Sequence, residues 1–515
     1  MHGSATQRDF KAIGAYYTPA SLAQTMANWV VDADCKRLLE PSVGDGALID
    51  ACRRVALEKF GAIDPLIRFL ACDIDRSAID ALRSRNLDQL DLRAVDFMQL
   101  DPAQTGRFCG VIANPPFTRN HSIDKSHRSI LRDRFDAIGA AGLWVYFILH
   151  AVEFVRPAGK LAFIVPSSAH FTRYGQHVLH QLCGSFGSVE LRLIADKPAW
   201  SNDADERGLV VLCSDKGGSC SLPPVQHWTS DGQRLPNAQC SEGFESLNSQ
   251  SHVLGTLAKV GIGAVTGCNA VFLLSEKERR DFRIERADVL PVASRVRHLG
   301  GIEVSPEDLG ALDCDKEKIW LLHPASLGER NGGVRRRLAT VPLSRRRKTL
   351  WFRKRSPWWK VDPGERPDAF FTYMNDQGPR LVLNEGDIWC TNTLHAVHFD
   401  KGVSKNERQA AALTQISTFG MLSAERLGRV YGGGLLKFEP SDVRRLPVLS
   451  PKSDVGSAFR SANAALLSKD REKAQMIADA TLLMPIFGNA FEDALSELKK
   501  ELSAARAMRM GQVRE

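Results

Sequence analysis

Residues from about 10 to 215 alternate short apolar runs with helical patterns, and this alternation restricts the fold more than any other feature. Seven runs are strand candidates: Arg37–Glu40, Ile67–Cys72, Leu92–Val95, Cys109–Ala113, Leu161–Val165, Val189–Ile194 and Leu209–Cys213. Helical stretches, such as Ser21–Val31 and Leu48–Phe60, separate most of the early ones. Strands that alternate with helices in this way form parallel sheets. The sequence therefore predicts an α/β domain with a mainly parallel, doubly wound sheet.

In the rest of the 515-residue chain, the composition and the hydrophobic pattern change twice, which indicates more than one domain. We expect residues 1–215 to form the α/β domain, and residues 216–251, with many serines, glycines and prolines, to form a linker. Residues 252–450 have short strand-like runs and suggest a second, mixed α/β domain. Helical patterns dominate residues 451–515, and we expect these helices to pack on the body of the protein or on a partner.

Composition excludes several classes of protein. Hydrophobic residues make up 43% and charged residues 25% of the chain, as in ordinary soluble globular proteins. No apolar stretch approaches the roughly 18–20 residues that a membrane helix needs, and the N-terminus lacks a signal peptide's apolar core. The eleven cysteines form no Cys-x-x-Cys pair, which favours reduced thiols in a cytoplasmic protein without structural zinc. We expect His395 and His398 to serve packing and not metal binding.

The tetrapeptide Asn114-Pro115-Pro116-Phe117 directly follows the apolar run 108–113. It therefore lies at the carboxyl edge of the predicted sheet, where α/β folds bind ligands. Two successive prolines stiffen the loop and remove two backbone donors, so that it presents carbonyl acceptors. Acceptors beside the flat face of a phenylalanine suit a planar ring with an exocyclic amine, such as adenine or cytosine.

Acidic residues end three earlier strands of the same sheet. Glu40 precedes a turn with glycines at 44 and 46, which allow positive φ and the close approach of a ligand. The turn lacks the three-glycine spacing of a dinucleotide site, and its acids suit a cationic ligand better than a pyrophosphate. Asp73, with Asp75 as the alternative, is placed to accept hydrogen bonds from a ribose diol. Asp96 could accept from an adenine amine.

A basic and aromatic segment lies between Arg330 and Lys360. It contains three cationic runs, at 335–337, 345–348 and 353–355, with four large aromatic residues interleaved at 351, 352, 358 and 359. A solvated basic loop is the simpler interpretation. Tryptophans among the arginines favour instead a surface that binds nucleic acid, because cations neutralise phosphates and aromatic rings stack on bases.

These motifs, in this order, resemble those of the N6-adenine DNA methyltransferases. The gamma class of these enzymes carries a Tyr-Thr-Pro element before the glycine turn, matched here at 17–19, and a C-terminal target-recognition domain. The layout resembles the TaqI-type enzymes of restriction–modification systems, and its length is compatible with the BsuBI/PstI methylase group. The segments 263–269 and 431–437 are similar to segments in the recognition halves of Eco57I-like methylases.

The resemblance implies a class I S-adenosylmethionine-dependent methyltransferase fold, with a Rossmann-like, mostly parallel sheet of seven strands. It implies that residues 252–450 form a target-recognition domain that binds double-stranded DNA. It also implies S-adenosylmethionine as the cofactor and a set of residues that bind it: Tyr17, Thr18, Pro19, Glu40, Ser42, Gly44, Asp73, Asp96 and Phe97. In this set Phe97 would cover the cofactor adenine.

The expected mechanism follows from the acceptors of the tetrapeptide. If Asn114 Oδ1 and the Pro115 carbonyl accept the two amine hydrogens of adenine, its nitrogen lone pair is freed to attack the methyl group, with no metal and no strong general base. The amine is inaccessible in a duplex, so the base must be flipped out. Phe117 would stack on one face of the base and Trp200 on the other. Candidate DNA contacts in the second domain are Arg345, Arg346, Arg347, Lys348, Arg353, Lys354, Arg355, Trp358 and Trp359.

Two other functions remain open from the sequence alone. The tetrapeptide also serves methyltransferases that act on RNA or on a protein glutamine, and a non-catalytic DNA-binding specificity module could retain the same residues. Because the motifs begin at residue 14 and the tail after 450 has no paired acids with a lysine, we expect any cognate restriction endonuclease to be a separate chain. We expect a monomer or a dimer with no membrane partner.

Overall fold

The computed structural model describes residues 18–32, 35–61, 68–117, 134–135, 142–195, 208–235, 240–312, 316–328, 331–431 and 434–510. The chain divides into two compact units. Unit 1 comprises residues 1–237 with 431–433 and 511–515, and unit 2 comprises residues 238–430 and 434–510.

Unit 1 is built on one eight-stranded sheet. Its strands are β1 (Arg37–Glu40), β2 (Arg68–Asp73), β3 (Leu90–Ala94), β4 (Phe108–Ala113), β5 (Val155–Pro166), β6 (Phe186–Ile194), β7 (Gly208–Lys216) and β8 (Val225–Trp228). Its helices are α1 (Ala20–Val30), α2 (Ala47–Phe60), α3 (Arg76–Arg83), α4 (Pro102–Thr105), α5 (Leu143–Glu153) and α6 (Arg173–Cys183). The strand order is β3-β2-β1-β4-β5-β7-β6-β8, and β7 alone runs antiparallel to its neighbours. The predicted doubly wound, mainly parallel sheet is confirmed.

Both faces of the central strands are covered. All six residues of β4 are buried, which explains why this strand reads as an uninterrupted apolar run. Helices α1 and α2 pack on one face through residues such as Met26 and Val55, and α5 and α6 pack on the other through residues such as Phe147 and Leu179. Because β1 lies between β2 and β4 in parallel register, the carboxyl ends of the three strands meet at one edge.

Two details of unit 1 differ from the sequence predictions. The sheet has eight strands and not seven, because Val225–Trp228 pairs with β6 within the segment 216–251 that was expected to be a linker. Its four residues are all half-buried, so no apolar alternation marks this edge strand. Secondly, a disulfide joins Cys35 to Cys109, so the expectation of reduced thiols is wrong for this pair. Their Cα atoms lie 5.3 Å apart, a usual distance for a disulfide, because β1 pairs with β4.

Unit 2 contains four smaller sheets. Its strands are β9 (Ser251–Val253), β10 (Ala258–Ile262), β11 (Leu273–Leu274), β12 (Val289–Ala293), β13 (Glu303–Val304), β14 (Trp320–Leu322), β15 (Ala369–Thr372), β16 (Met374–Asn375), β17 (Leu381–Asn384), β18 (Trp389–Cys390), β19 (Leu394–Phe399), β20 (Arg429–Tyr431), β21 (Leu435–Lys437) and β22 (Pro447–Leu449). The orders are β10-β19-β15-β17-β13, β11-β14-β12-β18, β16-β21-β20 and β22-β9.

Helices cover these sheets and complete the core of unit 2. They are α7 (Glu242–Ser249), α8 (Asn269–Phe272), α9 (Glu276–Asp281), α10 (Pro306–Gly310), α11 (Gly332–Ala339), α12 (Leu343–Lys348), α13 (Leu350–Arg353), α14 (Lys405–Ile416), α15 (Thr418–Leu427), α16 (Pro440–Val443), α17 (Gly456–Leu467), α18 (Arg471–Leu482), α19 (Met484–Phe487) and α20 (Phe491–Met510). Phe459 of α17 and Leu498 of α20 share one core with Phe371 of β15. Residues 451–510 therefore pack within the compact unit 2.

Two further expectations concern packing and membranes. The His395 ring is buried, and its Nε2 lies 2.7 Å from the Phe438 carbonyl, so this ring packs inside unit 2. Among the described residues, no helix combines the length and the apolar character that spanning a membrane requires.

Candidate active site

Asn114 stands at the carboxyl end of β4 and is held by two other sequence motifs. Its Nδ2 donates a hydrogen bond to Thr18 Oγ1 at 3.1 Å, and Ser42 Oγ donates to the Asn114 carbonyl at 3.0 Å. Thr18 precedes α1, and Ser42 follows β1. The fold therefore brings together residues that lie 96 and 72 positions from Asn114 in the chain.

The glycine turn after β1 is braced by the end of β2. Gly44 and Gly46 have φ values of 51° and 87°, which favour glycine. A Cβ at Gly46 would also lie 2.7 Å from Leu82 Cδ2. Asp73 Oδ2 accepts a hydrogen bond from the Gly44 amide at 2.9 Å, and its Oδ1 accepts from the Asp75 amide at 2.9 Å. Asp73 thus lies at the turn that the sequence predicts as a cofactor site.

Asp75, the alternative to Asp73, is engaged in capping a helix. Its Oδ1 accepts hydrogen bonds from the Ser77 amide at 2.9 Å and from Ser77 Oγ at 2.7 Å, at the start of α3. These bonds hold the pKa of Asp75 below its ordinary value. The geometry therefore favours Asp73 over Asp75 as the acid that faces the site.

Glu40 is the most unusual charged group of unit 1. Its side chain is 1% exposed, and its Oε2 has no hydrogen-bond partner among the described residues. Burial raises the pKa of Glu40 well above its ordinary value, and the nearby charge of Asp45 raises it further. A buried carboxylate with one oxygen left without a hydrogen-bond partner is costly. This position is therefore suited to a bound cation that would pair with the carboxylate.

The third acidic strand end departs from expectation in one residue. Asp96 is half-buried and accepts a hydrogen bond from the Met98 amide at 3.0 Å. Phe97 is 2% exposed, and its ring centre lies 4.9 Å from that of Phe147. The Phe97 ring packs into the core, and a contact between this ring and the cofactor stays a prediction.

Two residues at this edge were missed by sequence reasoning. Ile74 follows Asp73 directly and is 74% exposed, so it presents an apolar side chain beside the acid. An isoleucine between two acids at a strand end was the available signal. His150 of α5 is fully buried, and its Nε2 lies 3.1 Å from the carbonyls of both Phe97 and Leu100. It thereby positions the segment that carries Asp96.

The other predicted residues of the site divide into described and undescribed ones. Pro115 is buried, and Pro116 and Phe117 are half-buried, with Phe117 in contact with the apolar cores on both sides of the sheet. Pro19 is half-buried at the start of α1. Tyr17 and Trp200 lie outside the described residues.

In unit 2 the predicted DNA-contact residues fall into two groups. The first group is internal: Arg346 donates to the Val341 carbonyl at 2.9 Å and stacks over Trp358 at 4.4 Å. Arg355 donates to the Thr266 carbonyl at 2.9 Å and to the Val265 carbonyl, and burial lowers its pKa. Trp358 and Trp359 are half-buried against the Phe272 cluster. These four side chains take part in packing, and their role as DNA contacts stays a prediction.

The second group is exposed and consists of Arg345, Arg347, Lys348, Arg353 and Lys354. No side-chain hydrogen bond or ion pair to another described residue restrains Arg347, Lys348 or Arg353. Long cationic side chains in this state are suited to phosphate contacts.

Two protein-family models match this chain. The Eco57I restriction-modification methylase model matches residues 59–182, and the model of the C-terminal domain of type II methyltransferase M.Eco57I matches residues 234–483. The first match falls within unit 1, and nearly all of the second falls within unit 2.

Individual proteins match over most of the length. Type II methyltransferase M.AccI of Acinetobacter calcoaceticus is 22% identical over 507 residues, which cover 91% of this chain and 90% of the relative. Type II methyltransferase M.XamI of Xanthomonas campestris pv. amaranthicola is 22% identical over 473 residues, 85% of each chain. The structure of the type IIL restriction-modification enzyme MmeI in complex with DNA matches with a TM-score of 0.52 and 11% identity, covering 94% of this chain and 74% of that one.

The structural match and the strand order of unit 1 confirm the predicted class I S-adenosylmethionine-dependent methyltransferase fold. The family models and the two relatives show that this chain is similar to type II restriction–modification methyltransferases such as Eco57I, M.AccI and M.XamI.

Proposed function

We propose that this protein is a site-specific DNA adenine methyltransferase that transfers a methyl group from S-adenosylmethionine to N6 of a flipped-out adenine. The observation that carries the proposal is the placement of Asn114, which Thr18 and Ser42 hold at the same sheet edge as the buried Glu40 carboxyl. An amide acceptor and a site for a cation are the two features that this reaction needs.

The residues at the edge fit the cofactor. The unpartnered Glu40 oxygen is suited to a cationic methionine end, with Thr18, Pro19, Ser42 and Gly44 around it. Asp73 would hold the ribose. Asp96 would accept from the adenine amine, and the exposed Ile74 side chain would contact the ring. When bound, S-adenosylmethionine supplies an electrophilic methyl group on a sulfonium.

The protein's part in the reaction is to orient the target amine. Because Asn114 Nδ2 donates to Thr18, the amide is fixed with Oδ1 as the acceptor for one amine hydrogen. The Pro115 carbonyl would accept the other, and the bond from Ser42 fixes the preceding carbonyl of Asn114. Accepting both hydrogens favours a tetrahedral nitrogen with its lone pair directed out of the ring plane. Such positioning and charge complementarity require no strong general base.

Base flipping is part of the proposal, since the amine cannot be reached inside a duplex. The half-buried Phe117 at the end of the tetrapeptide would stack on the flipped adenine, at a gain of roughly 1–3 kcal/mol by analogy with other base–aromatic contacts. Trp200 stays a prediction for the other face.

The exposed cations of unit 2 and the restriction–modification family support double-stranded DNA as the substrate. The DNA-bound state of the MmeI structure is a property of that protein and agrees with this substrate. The methyl group would protect host DNA against cleavage by any cognate endonuclease.

The test compares wild type with Asn114→Ala on host genomic DNA, with labelled S-adenosylmethionine and sequencing that detects modified bases. We expect N6-methyladenine at one short sequence, and a loss of about 10²–10³-fold in rate for the variant, as when one polar group of a preorganised site is removed. Asn248→Ala, at an exposed position of α7, is the matched control. Label that persists in Asn114→Ala would contradict the mechanism. Label on cytosine would contradict the choice of base but not the choice of DNA.

A further inference from the structure

Helix α13 exposes an aromatic ring that the core of unit 2 does not use. Trp351 is 39% exposed, whereas its neighbour Phe352 is 2% exposed and packs on Phe272 and Trp358. Leu350 is exposed as well. Leaving part of an indole exposed to water forfeits the free energy that full burial would provide. An exposed apolar patch on a protein surface frequently marks a binding site.

The charge around Trp351 identifies the kind of ligand. Residues 331–361 contain eleven lysines and arginines and no aspartate or glutamate. Arg347, Lys348 and Arg353 are exposed in the adjacent helical turns, and Lys354 Nζ lies 5.3 Å from the centre of the Trp351 ring. A polyanion is complementary to this surface. Among polyanions, nucleic acid also offers flat apolar faces on which an indole can stack.

The backbone that presents Trp351 contacts the loop 263–269 at two places. Gly267 has a φ of 76°, and a Cβ added to it would lie 2.9 Å from Trp351 Cβ, so the loop 263–269 lies directly against α13. Arg355 joins the same loop through the carbonyls of Val265 and Thr266. The ring is therefore presented by a rigid support, which reduces the entropy lost when it orders on a ligand.

We propose that Trp351 is a DNA wedge. Cations on α12 and α13 bind the phosphates, and the indole stacks into a base step of the duplex, unstacking it locally as apolar wedges do in other DNA-binding proteins. Trp358 and Trp359 are excluded from this role because they pack against the Phe272 cluster. This inference rests on the proposed function, since it names the side chain through which unit 2 deforms the substrate.

The test uses duplexes that contain the sequence methylated by wild type, with 2-aminopurine placed at successive positions. We expect wild type to raise 2-aminopurine fluorescence at one step outside the target adenine. Trp351→Ala should abolish that signal and weaken binding by about tenfold to 100-fold, as loss of one stacking contact predicts. Trp351→Phe should retain most of both. The double variant Arg347→Gln/Lys348→Gln should keep the signal but lower the salt dependence of binding, because it removes phosphate contacts.

The outcomes separate the possibilities. The wedge is overturned if Trp351→Ala keeps the wild-type fluorescence signal and DNA affinity. It is also overturned if Trp351→Ala and Trp351→Phe lose signal and affinity equally and both have a lower melting temperature, because the ring would then serve packing. Loss in Trp351→Ala at an unchanged melting temperature supports the wedge. If wild type neither binds nor methylates DNA, the proposed function itself fails, and this is measured before any Trp351 variant is used.

Discussion

The carboxyl edge of unit 1 and the basic segment 331–361 of unit 2 use polar side chains in opposite ways. At the edge, hydrogen bonds join the polar residues to one another or to backbone amides, as at Asn114, Ser42, Thr18 and Asp73. In the basic segment, four of the nine predicted contact residues are half-buried and pack within unit 2, and the other five are exposed. Reaction chemistry needs groups fixed to within fractions of an ångström, whereas neutralising phosphates needs only charge near the strand.

The largest difference between the two regions is expected in DNA binding, when the exposed cations of the basic segment are replaced. Replacing Arg347, Lys348 and Arg353 by Gln should weaken DNA binding about 10²-fold at moderate salt and reduce the slope of log affinity against log salt by about 2–3, since each phosphate contact contributes close to 0.9. Cofactor affinity should not change. Fluorescence anisotropy over a salt series measures the first two, and calorimetry measures the third.

The matched control for this experiment removes the same charge elsewhere. Lys473, Lys499 and Lys500 are exposed on α18 and α20, and their replacement by Gln should leave both affinity and salt slope near wild type. An equal reduction in both triple variants would mean that net charge, and not this surface, attracts DNA.

The second prediction concerns the carboxyl edge of unit 1 and tests whether Glu40 pairs with a cationic cofactor. The raised pKa means that the free protein holds a proton on Glu40 over a window that begins near the ordinary value of 4.5 and extends upward. Binding a cationic cofactor should release this proton, so affinity should fall as pH falls through the window. Glu40→Gln should weaken cofactor binding by about tenfold, the equivalent of roughly 1.4 kcal/mol, and remove the pH dependence. Calorimetry in buffers of different ionisation enthalpy counts the protons.

The same group has a consequence for stability, with a definite sign. Over the window, the folded state binds more protons at Glu40 than the unfolded state, so the free energy of unfolding falls as pH rises through it. Glu40→Gln should remove this part of the decline, whereas Glu58→Gln, at an exposed position of α2, should not.

In the calorimetry of cofactor binding, proton release that is equal in wild type and Glu40→Gln would contradict the assignment of Glu40.

More of the candidate site in unit 1 than of the basic segment in unit 2 could be predicted from the sequence. The site in unit 1 depends mainly on local sequence patterns, whereas the basic segment depends on contacts between residues that are distant in the chain. The bounds of β1 were predicted as Arg37–Glu40, and the apolar run 108–113 places Asn114 at a strand end by local sequence alone. Whether Phe97 points into the core depends on Phe147 and His150, which are about 50 residues away. An Asp-Phe pair at a strand end is compatible with either direction.

The division of the cationic segment could not be predicted for a similar reason. Arg353 and Arg355 lie two positions apart in a uniformly basic stretch, and no local pattern distinguishes them. What separates them is the approach of the loop 263–269, almost 90 residues away in sequence, in which the Val265 and Thr266 carbonyls accept hydrogen bonds from Arg355. Charge runs therefore locate a surface, whereas tertiary hydrogen bonds decide which of its members are available to a ligand.

The smallest predicted effect sharpens this division within unit 2. Arg355→Gln should lower the free energy of unfolding of the protein by about 1–3 kcal/mol, because hydrogen bonds from a charged donor to two backbone carbonyls are lost. Arg353→Gln should change it by less than about 0.5 kcal/mol, as is usual for an exposed side chain. Chemical denaturation of the full chain measures both, with DNA affinity measured in parallel. Arg353→Gln should then weaken DNA binding at unchanged stability. Equal stability loss in the two variants would mean that the arginines do not differ in the way that their hydrogen bonds indicate.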